Sequence, residues 1–172
     1  MARCPVCGID EDDISVPDAI AAIRTFPRRY REALAAVGPD ALRTRPDADT
    51  WSVLEYAVHA REVLELLAAT LPIVLEHPDS HFPPIDVTEA TSTRPDWVLD
   101  PDLVLVGIQQ ATDALVARAE ETPVAAWDRT FTLGDETHPA SWILSHAAHE
   151  GAHHLRDIER VARRVAPRDD DD

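Results

Sequence analysis

The sequence predicts an all-α protein, a four-helix bundle preceded by a short N-terminal extension with a CxxC motif. Three observations lead to this prediction. Apolar residues recur at helical spacing in four long segments, the rest of the sequence has little strand pattern, and most connections are short to moderate in length. The 172 residues suit one domain with a real core. We expect the extension over residues 1–14, the bundle over 15–166, and a disordered acidic tail over 167–172.

The charge of the chain narrows the range of its partners. Asp and Glu number 32 against 16 Lys and Arg, a formal net charge of −16 at pH 7. Such a chain is repelled by nucleic acid and by anionic membranes, so we expect neither as a partner. The first residues lack the apolar run of a secretory signal, and no stretch approaches the roughly 20 apolar residues of a membrane span. We expect a soluble, cytoplasmic protein with a small-molecule substrate.

The N-terminal extension contains a cysteine pair, Cys4-Pro-Val-Cys7-Gly8. Three interpretations are open. The pair could form a second metal site, in which His77 and His81 of a later loop complete the ligands of a zinc ion. It could be a redox dithiol, or it could belong to an ordinary reduced and mobile N-terminus. A structural disulfide is the least expected state in a cytoplasmic protein.

The first bundle helix is predicted to start at Ser15, a suitable N-terminal cap, and to carry its apolar stripe to Val37. Pro27 lies inside this run, so we expect a kink or a break there. The second helix is predicted from about Ser52 to Leu75, and its first residues show a capping-box pattern. His59 lies on the apolar face of this second helix.

The segment from His77 to Pro101 is rich in proline and has no clean periodicity, so it is predicted to be a long connection that Trp97 anchors. A third helix is predicted from Pro101 to Glu121. Residues Thr130 to Leu133 could be extended. The residues expected on the buried side of the third helix include Leu103, Val106, Ile108, Leu115 and Val116.

The last predicted helix, Ala140 to Val165, carries four of the eight histidines within nine residues. Glu150 lies at the edge of its apolar stripe and His154 lies within the stripe, so both should face the protein interior. A carboxylate and an imidazole at positions i and i+4 can bind one metal ion. The opposite face carries Trp142, His149 and His153 and is predicted to point outward. We expect this face to be a self-association patch through which the protein forms a homodimer.

Two other interpretations of this helix stay open. His149-Glu-Gly-Ala-His153 matches the H-E-x-x-H pattern of zinc metalloproteases, but helical spacing directs both histidines away from the core. The histidines could also be ordinary polar residues of a helix, although Glu150 and His154 facing a core need a partner. A lone histidine such as His59 is more often a satisfied core residue than a ligand, but it would complete a three-ligand metal site here.

These residues resemble the DinB/YfiT-like metal-binding four-helix bundle superfamily, which includes mycothiol-dependent maleylpyruvate isomerase-like proteins. Two motifs carry the resemblance, Trp51-Ser-x-x-Glu-x-x-x-His59 and His146-x3-Glu150-x3-His154-Leu-x-x-Ile. The resemblance covers roughly residues 20–165. It implies a four-helix bundle in which His59, Glu150 and His154 bind a divalent metal ion, zinc or nickel.

The motif on the last helix differs in this chain from the commoner form of the superfamily. The spacing Glu-x3-His is the form that the resemblance associates with the isomerase, whereas the commoner form is His-x3-His. Arg156 and Asp157 stand where the common pattern has Gly and Gln. The motifs are therefore more specific for the fold than for the reaction.

The resemblance implies three alternative functions. The first is a metal-dependent S-transferase or isomerase that uses a low-molecular-weight thiol of the mycothiol type, since a metal ion holds a thiol as thiolate near neutral pH. The second is a metal-dependent hydrolase, and the third is a non-enzymatic metal-binding stress protein. Arg61 could bind an anionic substrate, although a surface salt bridge is its more ordinary role.

Overall fold

The protein is described by a computed structural model that covers residues 3–84 and 100–166. Its helices enclose one hydrophobic core, to which every helix contributes buried side chains. The predicted Trp97 anchor and the acidic tail lie outside the described residues. The helices are α1 Val16–Ile23, α2 Phe26–Ala35, α3 Val53–Glu76, α4 Pro101–Glu121 and α5 Ser141–Val165.

The first bundle helix is built in two pieces. Ser15 caps α1 by accepting a hydrogen bond from the Asp18 backbone N–H. The chain turns at Arg24 and Thr25, and Pro27 lies in the first turn of α2, where its missing N–H costs nothing. The predicted break is confirmed, and α1 and α2 together occupy the place of one bundle helix. The all-α four-helix bundle is therefore the observed fold.

Helix α3 begins where its capping box predicts. The Ser52 hydroxyl accepts a hydrogen bond from the Glu55 backbone N–H, and the Glu55 carboxylate accepts one from the Ser52 N–H. Arg45 adds an ion pair with Glu55 from the preceding loop. Because its start is fixed in this way, α3 presents His59 to the neighbouring helix α5 rather than to solvent.

Helix α4 has the predicted bounds but not the predicted face. Ile108 and Leu115 are fully buried, as expected, but Leu103 and Val106 are 62% and 51% exposed. The predicted set mixes two faces, because Leu103 lies about 140° around the helix from Ile108. The hydrophobic residues of the buried stripe that the structure shows are Val104, Ile108, Ala111, Leu115 and Ala119.

A small three-stranded sheet closes one end of the bundle. Strands β1 Ser80–Phe82 and β2 Thr130–Leu133 are parallel, and β2 pairs antiparallel with β3 Glu136–Pro139. The β2–β3 turn contains Gly134, whose φ of 61° lies in the left-handed region that glycine adopts without strain. The extended segment predicted at 130–133 is confirmed, whereas β1 and β3 have no counterpart among the sequence predictions.

Among the described helices, none combines the length with the apolar character that crossing a membrane requires.

Candidate metal centre

Three side chains from two helices converge between α3 and α5. His59 belongs to α3, and Glu150 and His154 lie one turn apart on α5. One potential ligand atom from each residue lies within 4.8 Å of the other two. His154 Nε2 is 3.3 Å from a carboxylate oxygen of Glu150, and the rings of His59 and His154 meet at right angles. The structure thus brings together the three residues singled out in the sequence; that they bind a metal ion remains a prediction.

The three residues are shielded from solvent. His59 is 6% exposed and His154 is 8% exposed. Burial raises the pKa of Glu150, but the hydrogen bond to His154 and the charge of that histidine outweigh it and bring the pKa to about 2. Burial lowers the pKa of His154, but its carboxylate neighbours raise it above its ordinary value. Glu150 is therefore a carboxylate at neutral pH, which is the form that binds a metal ion.

The donor set fits a divalent ion with an open coordination position. Two imidazoles and one carboxylate are the type of three-ligand set found at catalytic zinc sites, and nickel also accepts imidazole. Asp157 lies behind one of the ligands, with Oδ2 3.1 Å from His154 Nδ1. This contact leaves Nε2 of the same ring facing Glu150. A carboxylate in this position orients a metal-binding histidine and raises its basicity.

Asp157 is a functional candidate that the sequence prediction missed. In the sequence it marks only a departure from the family pattern. The available signal is its i+3 spacing from His154, which places the two residues on neighbouring positions of one helix surface. Arg160 donates a hydrogen bond to the other carboxylate oxygen of Asp157 at 2.5 Å and so holds that side chain in place.

Two aromatic side chains pack against the histidine rings. Trp51, which precedes α3, has its ring centroid 5.3 Å from that of His59. Tyr56 lies one helical turn before His59 and places its ring 5.8 Å from the ring of His154. These contacts restrict the rotation of both imidazoles and so help to fix the directions of their nitrogen atoms.

A pocket of about 710 Å³ opens beside the three residues. His59 and Glu150 lie in its wall, and most of the remaining described wall is apolar. Within the described residues the lining contains no lysine or arginine. A pocket of this size and character suits a small organic molecule with an apolar body. Its apolar walls include Val63, Leu67, Phe82, Phe131, Leu133 and Trp142.

Arg61 lies away from this pocket. Its guanidinium is paired with Glu65 at 3.6 Å and with Glu62 at 3.7 Å. The stem of the side chain packs over Gly107 of α4, where an added Cβ would lie 2.5 Å from Arg61 Cδ. Arg61 therefore has the structural ion-pair role rather than contact with a substrate in this pocket.

His146, which also lines the pocket, forms a second histidine–carboxylate pair with Glu11. His146 is one helical turn before Glu150, and its Nδ1 lies 2.9 Å from Oε1 of Glu11. Glu11 comes from a short 3₁₀ turn of the N-terminal extension and is 7% exposed. Burial raises its pKa, but the histidines beside it bring the pKa to about 2. Trp142 stacks on the His146 ring with centroids 4.4 Å apart. Sequence reasoning missed Glu11, because nothing local indicates that the extension folds back.

The helix face predicted to point outward is covered. The side chains of His149 and His153 are only 14% and 19% exposed, because the N-terminal extension lies across them. Glu11 contacts His149, and Cys4 contacts His153. Trp142 lines the pocket instead of facing solvent. The outward direction predicted for this patch is therefore wrong, whereas the homodimer itself stays a prediction. The H-E-x-x-H interpretation also loses support, since Glu150 is directed towards the separate histidine His154.

His77 and His81 do not join the cysteine pair. The ligand atoms grouped with Cys4 and Cys7 in the described structure are those of His149 and His153. His77 ends α3, about 27 Å of helix beyond His59, and His81 lies in β1. The second metal site with His77 and His81 is therefore corrected: the N-terminal extension packs against α5, whereas those two histidines lie beside the sheet at the far end of α3.

Comparison with known proteins supports the same superfamily. The family model of the DinB superfamily matches residues 22–158. No curated protein matches the chain.

Two solved structures share its fold at 18% sequence identity. YfiT from Bacillus subtilis, described as a probable metal-dependent hydrolase with an unusual four-helix bundle topology, gives a TM-score of 0.80 over 91% of this chain and 92% of its own. The mycothiol-dependent maleylpyruvate isomerase gives 0.65 over 87% of this chain and 63% of its own. With most of its length matched by the family model, the chain belongs to the DinB superfamily.

Proposed function

We propose that the protein is a metal-dependent enzyme in which His59, Glu150 and His154 hold one divalent ion, zinc or nickel. The observation that carries this proposal is the position of the three residues: they converge from α3 and α5, and two of them lie in the wall of a pocket of about 710 Å³. Three protein ligands leave a coordination position for a reactant. Asp157 orients one of the ligands from behind.

The reaction class that we place first is thiol-dependent transfer or isomerisation with a low-molecular-weight thiol. A divalent ion at this site would act as a Lewis acid and favour the anionic form of a thiol or of water. The apolar pocket walls would exclude water from a small electrophilic substrate. The pocket could hold a thiol together with such a substrate, and the Glu-x3-His form of the ligand pair supports this class through the resemblance to the isomerase.

A second candidate is metal-dependent hydrolysis, which one specific contact favours. His146 lies in the pocket wall beside Glu150, and Glu11 engages its Nδ1. The opposite nitrogen, Nε2, can then exchange a proton with a reacting group, as in other histidine–carboxylate pairs. YfiT, with which this chain shares its fold, is described as a probable hydrolase. The same pair would also serve a thiol transferase as a proton acceptor. Assays of the two reactions must therefore distinguish the two candidates.

Metal content is the first experiment. We expect His59→Ala to hold about one ion per chain fewer than the unaltered protein, and His81→Ala, a change at a matched exposed histidine of β1, to hold as many. Activity should fall by at least about 100-fold in His59→Ala, since the ligands act together. An unchanged metal content in His59→Ala with no change in activity would overturn the proposal.

Assays with and without thiol then separate the reactions. Turnover of an apolar electrophile only with mycothiol or glutathione supports the transferase or isomerase. Turnover of esters or amides without thiol, with about a 100-fold loss in His146→Gln, supports the hydrolase. Tight metal binding without activity and without stabilisation by any thiol would leave the non-enzymatic stress protein. A cytoplasmic location remains part of this proposal.

A further inference from the structure

The N-terminal cysteine pair forms a compact knuckle. The backbone N–H of Cys4 donates to the Ile9 carbonyl, and the Gly8 N–H donates to the Cys4 carbonyl, both at 2.8 Å. Gly8 has a φ of 73°, which permits the tight turn after Cys7. The turn therefore presents two thiols together.

Helix α5 brings two imidazoles to this knuckle. His149 and His153 are one turn apart, and one ligand atom from each lies within 4.8 Å of both cysteine sulfurs. Cys4 Sγ is 3.5 Å from His153 Nδ1. A tetrahedral zinc ion with Zn–S of about 2.3 Å and Zn–N of about 2.0 Å would separate its sulfur and nitrogen ligands by about 3.5 Å. The observed separation thus agrees with a shared zinc ion.

Carboxylates occupy the other nitrogen of each ring. Glu11 Oε1 lies 2.5 Å from His149 Nδ1, and Asp157 Oδ2 lies 3.2 Å from His153 Nε2. These contacts leave Nε2 of His149 and Nδ1 of His153 as the atoms available to an ion. The His149 Nε2 atom is buried and has no conventional hydrogen bond within the described structure. Carboxylates behind the histidines are typical of zinc sites.

We propose that Cys4, Cys7, His149 and His153 bind one structural zinc ion. The spacings C-x2-C and H-x3-H are those of Cys2His2 zinc sites, and four protein ligands leave no open position for a substrate. The site shares no ligand with the candidate catalytic centre, so it goes beyond the proposed function and does not depend on it. Its role is to fasten the N-terminal extension to α5.

The two centres are nevertheless connected. The carboxylate oxygen of Asp157 that contacts His153 also contacts His154 of the candidate catalytic centre. Glu11 follows the cysteine knuckle in the N-terminal extension and contacts His146 in the pocket wall. Loss of zinc should therefore loosen the extension and release both His146 and the support behind His154, while the bundle core remains folded.

Cobalt provides the direct test, since it replaces zinc and reports its ligands by absorption. The metal-free full-length chain is titrated with Co²⁺ under reducing conditions. The thiolate-to-cobalt charge-transfer band reports this site alone, since the other centre has no sulfur ligand. We expect the band in the unaltered chain, and in His59→Ala, which lacks the other centre, it should saturate at one ion per chain. It should disappear in Cys4→Ser/Cys7→Ser, need more Co²⁺ to saturate in His149→Ala, and stay unchanged in His77→Ala/His81→Ala.

Three results would overturn the inference: no charge-transfer band in the unaltered chain, a band that disappears in His77→Ala/His81→Ala, or a band that saturates in His149→Ala at the same Co²⁺ concentration as in the unaltered chain. A Cys4–Cys7 disulfide in freshly isolated metal-free protein would identify a redox pair instead. The unaltered chain gives the principal result, so misfolding of a variant leaves the test intact. As a second readout, chelation should speed proteolytic cleavage within residues 3–14 by at least tenfold without loss of helicity.

Discussion

Asp157 contacts one histidine of each candidate metal centre. One of its oxygens lies 3.1 Å from His154 Nδ1 and 3.2 Å from His153 Nε2. Burial raises its pKa, but the two histidines outweigh this and hold the pKa well below its usual range. The side chain is only 4% exposed, so its charge is balanced by these histidines and by Arg160 rather than by water.

Asp157→Asn should weaken metal binding at the candidate catalytic centre by about 10- to 100-fold, because the amide supports His154 less well than a carboxylate does. Chelator competition in the Cys4→Ser/Cys7→Ser background measures this centre alone. Arg160→Ala is the matched control, since it removes a neighbour of Asp157 but leaves the carboxylate. Equal affinity in Asp157→Asn and its parent would contradict the orienting role.

Glu55→Gln should destabilise the fold by about 1–2 kcal/mol at pH 7. Burial raises the pKa of Glu55, but the hydrogen bonds from Arg45 and the Ser52 N–H have the larger, opposite effect. The pKa of Glu55 therefore lies below its ordinary value. Stability from a lowered carboxylate pKa is present above the unfolded-state value of about 4.3 and is lost as pH falls through the folded-state pKa. The difference from the parent should therefore shrink below about pH 4.

Urea unfolding at several pH values checks this prediction. Glu32→Gln is its control, because the Arg28–Glu32 pair is exposed on α2 and should contribute less than about 0.5 kcal/mol. A Glu55→Gln deficit that stays constant from pH 7 to pH 3 would show that the charge has no part in capping α3.

At the scale of elements, Gly151 permits a close approach between α5 and α2. A Cβ on Gly151 would lie 2.2 Å from Cε2 of Phe26, which is fully buried and cannot swing away. The Tyr30 hydroxyl donates to the Gly151 carbonyl at 2.9 Å. This close approach sets the position of the α5 turn that carries Glu150 and His154.

Gly151→Ala should destabilise the protein by about 1–2 kcal/mol. Overpacking of a core costs about 1–3 kcal/mol, and the better helix propensity of alanine recovers up to about 1 kcal/mol. Gly38→Ala is the control, since nothing lies within 4 Å of its added Cβ. If thermal unfolding finds Gly151→Ala as stable as the control, the close contact with Phe26 does not position α5.

Helix α5 also shows which side-chain directions helical periodicity can predict and which it cannot. Its spacing correctly directs His154 towards the core and Glu150 to the edge of the apolar stripe, because those directions depend only on the geometry of one helix. It fails for His149 and His153, because their cover is a distant segment that begins at Cys4. On α4 the same method misassigns Leu103, since apolar residues there occur on more than one face.

At the scale of the whole molecule, the bundle is predictable because each helix carries its own apolar stripe and end signals. The small sheet is not, because β1 and β2 are remote in sequence and each is only three or four residues long. The pocket depends on that sheet, since Phe82 and Phe131 form part of its wall. The three candidate ligand residues were therefore accessible from the sequence, whereas the pocket beside them required the tertiary structure.

X-ray diffraction from crystals of the metal-loaded protein, measured on both sides of the zinc and nickel absorption edges, tests the central claim most directly. We expect an anomalous peak about 2.0–2.2 Å from ligand atoms of His59, Glu150 and His154, with further density on the pocket side. The peak should be distinct from any peak beside Cys4. Protein loaded with either metal that shows no peak between α3 and α5, with these three side chains turned apart, would contradict the account.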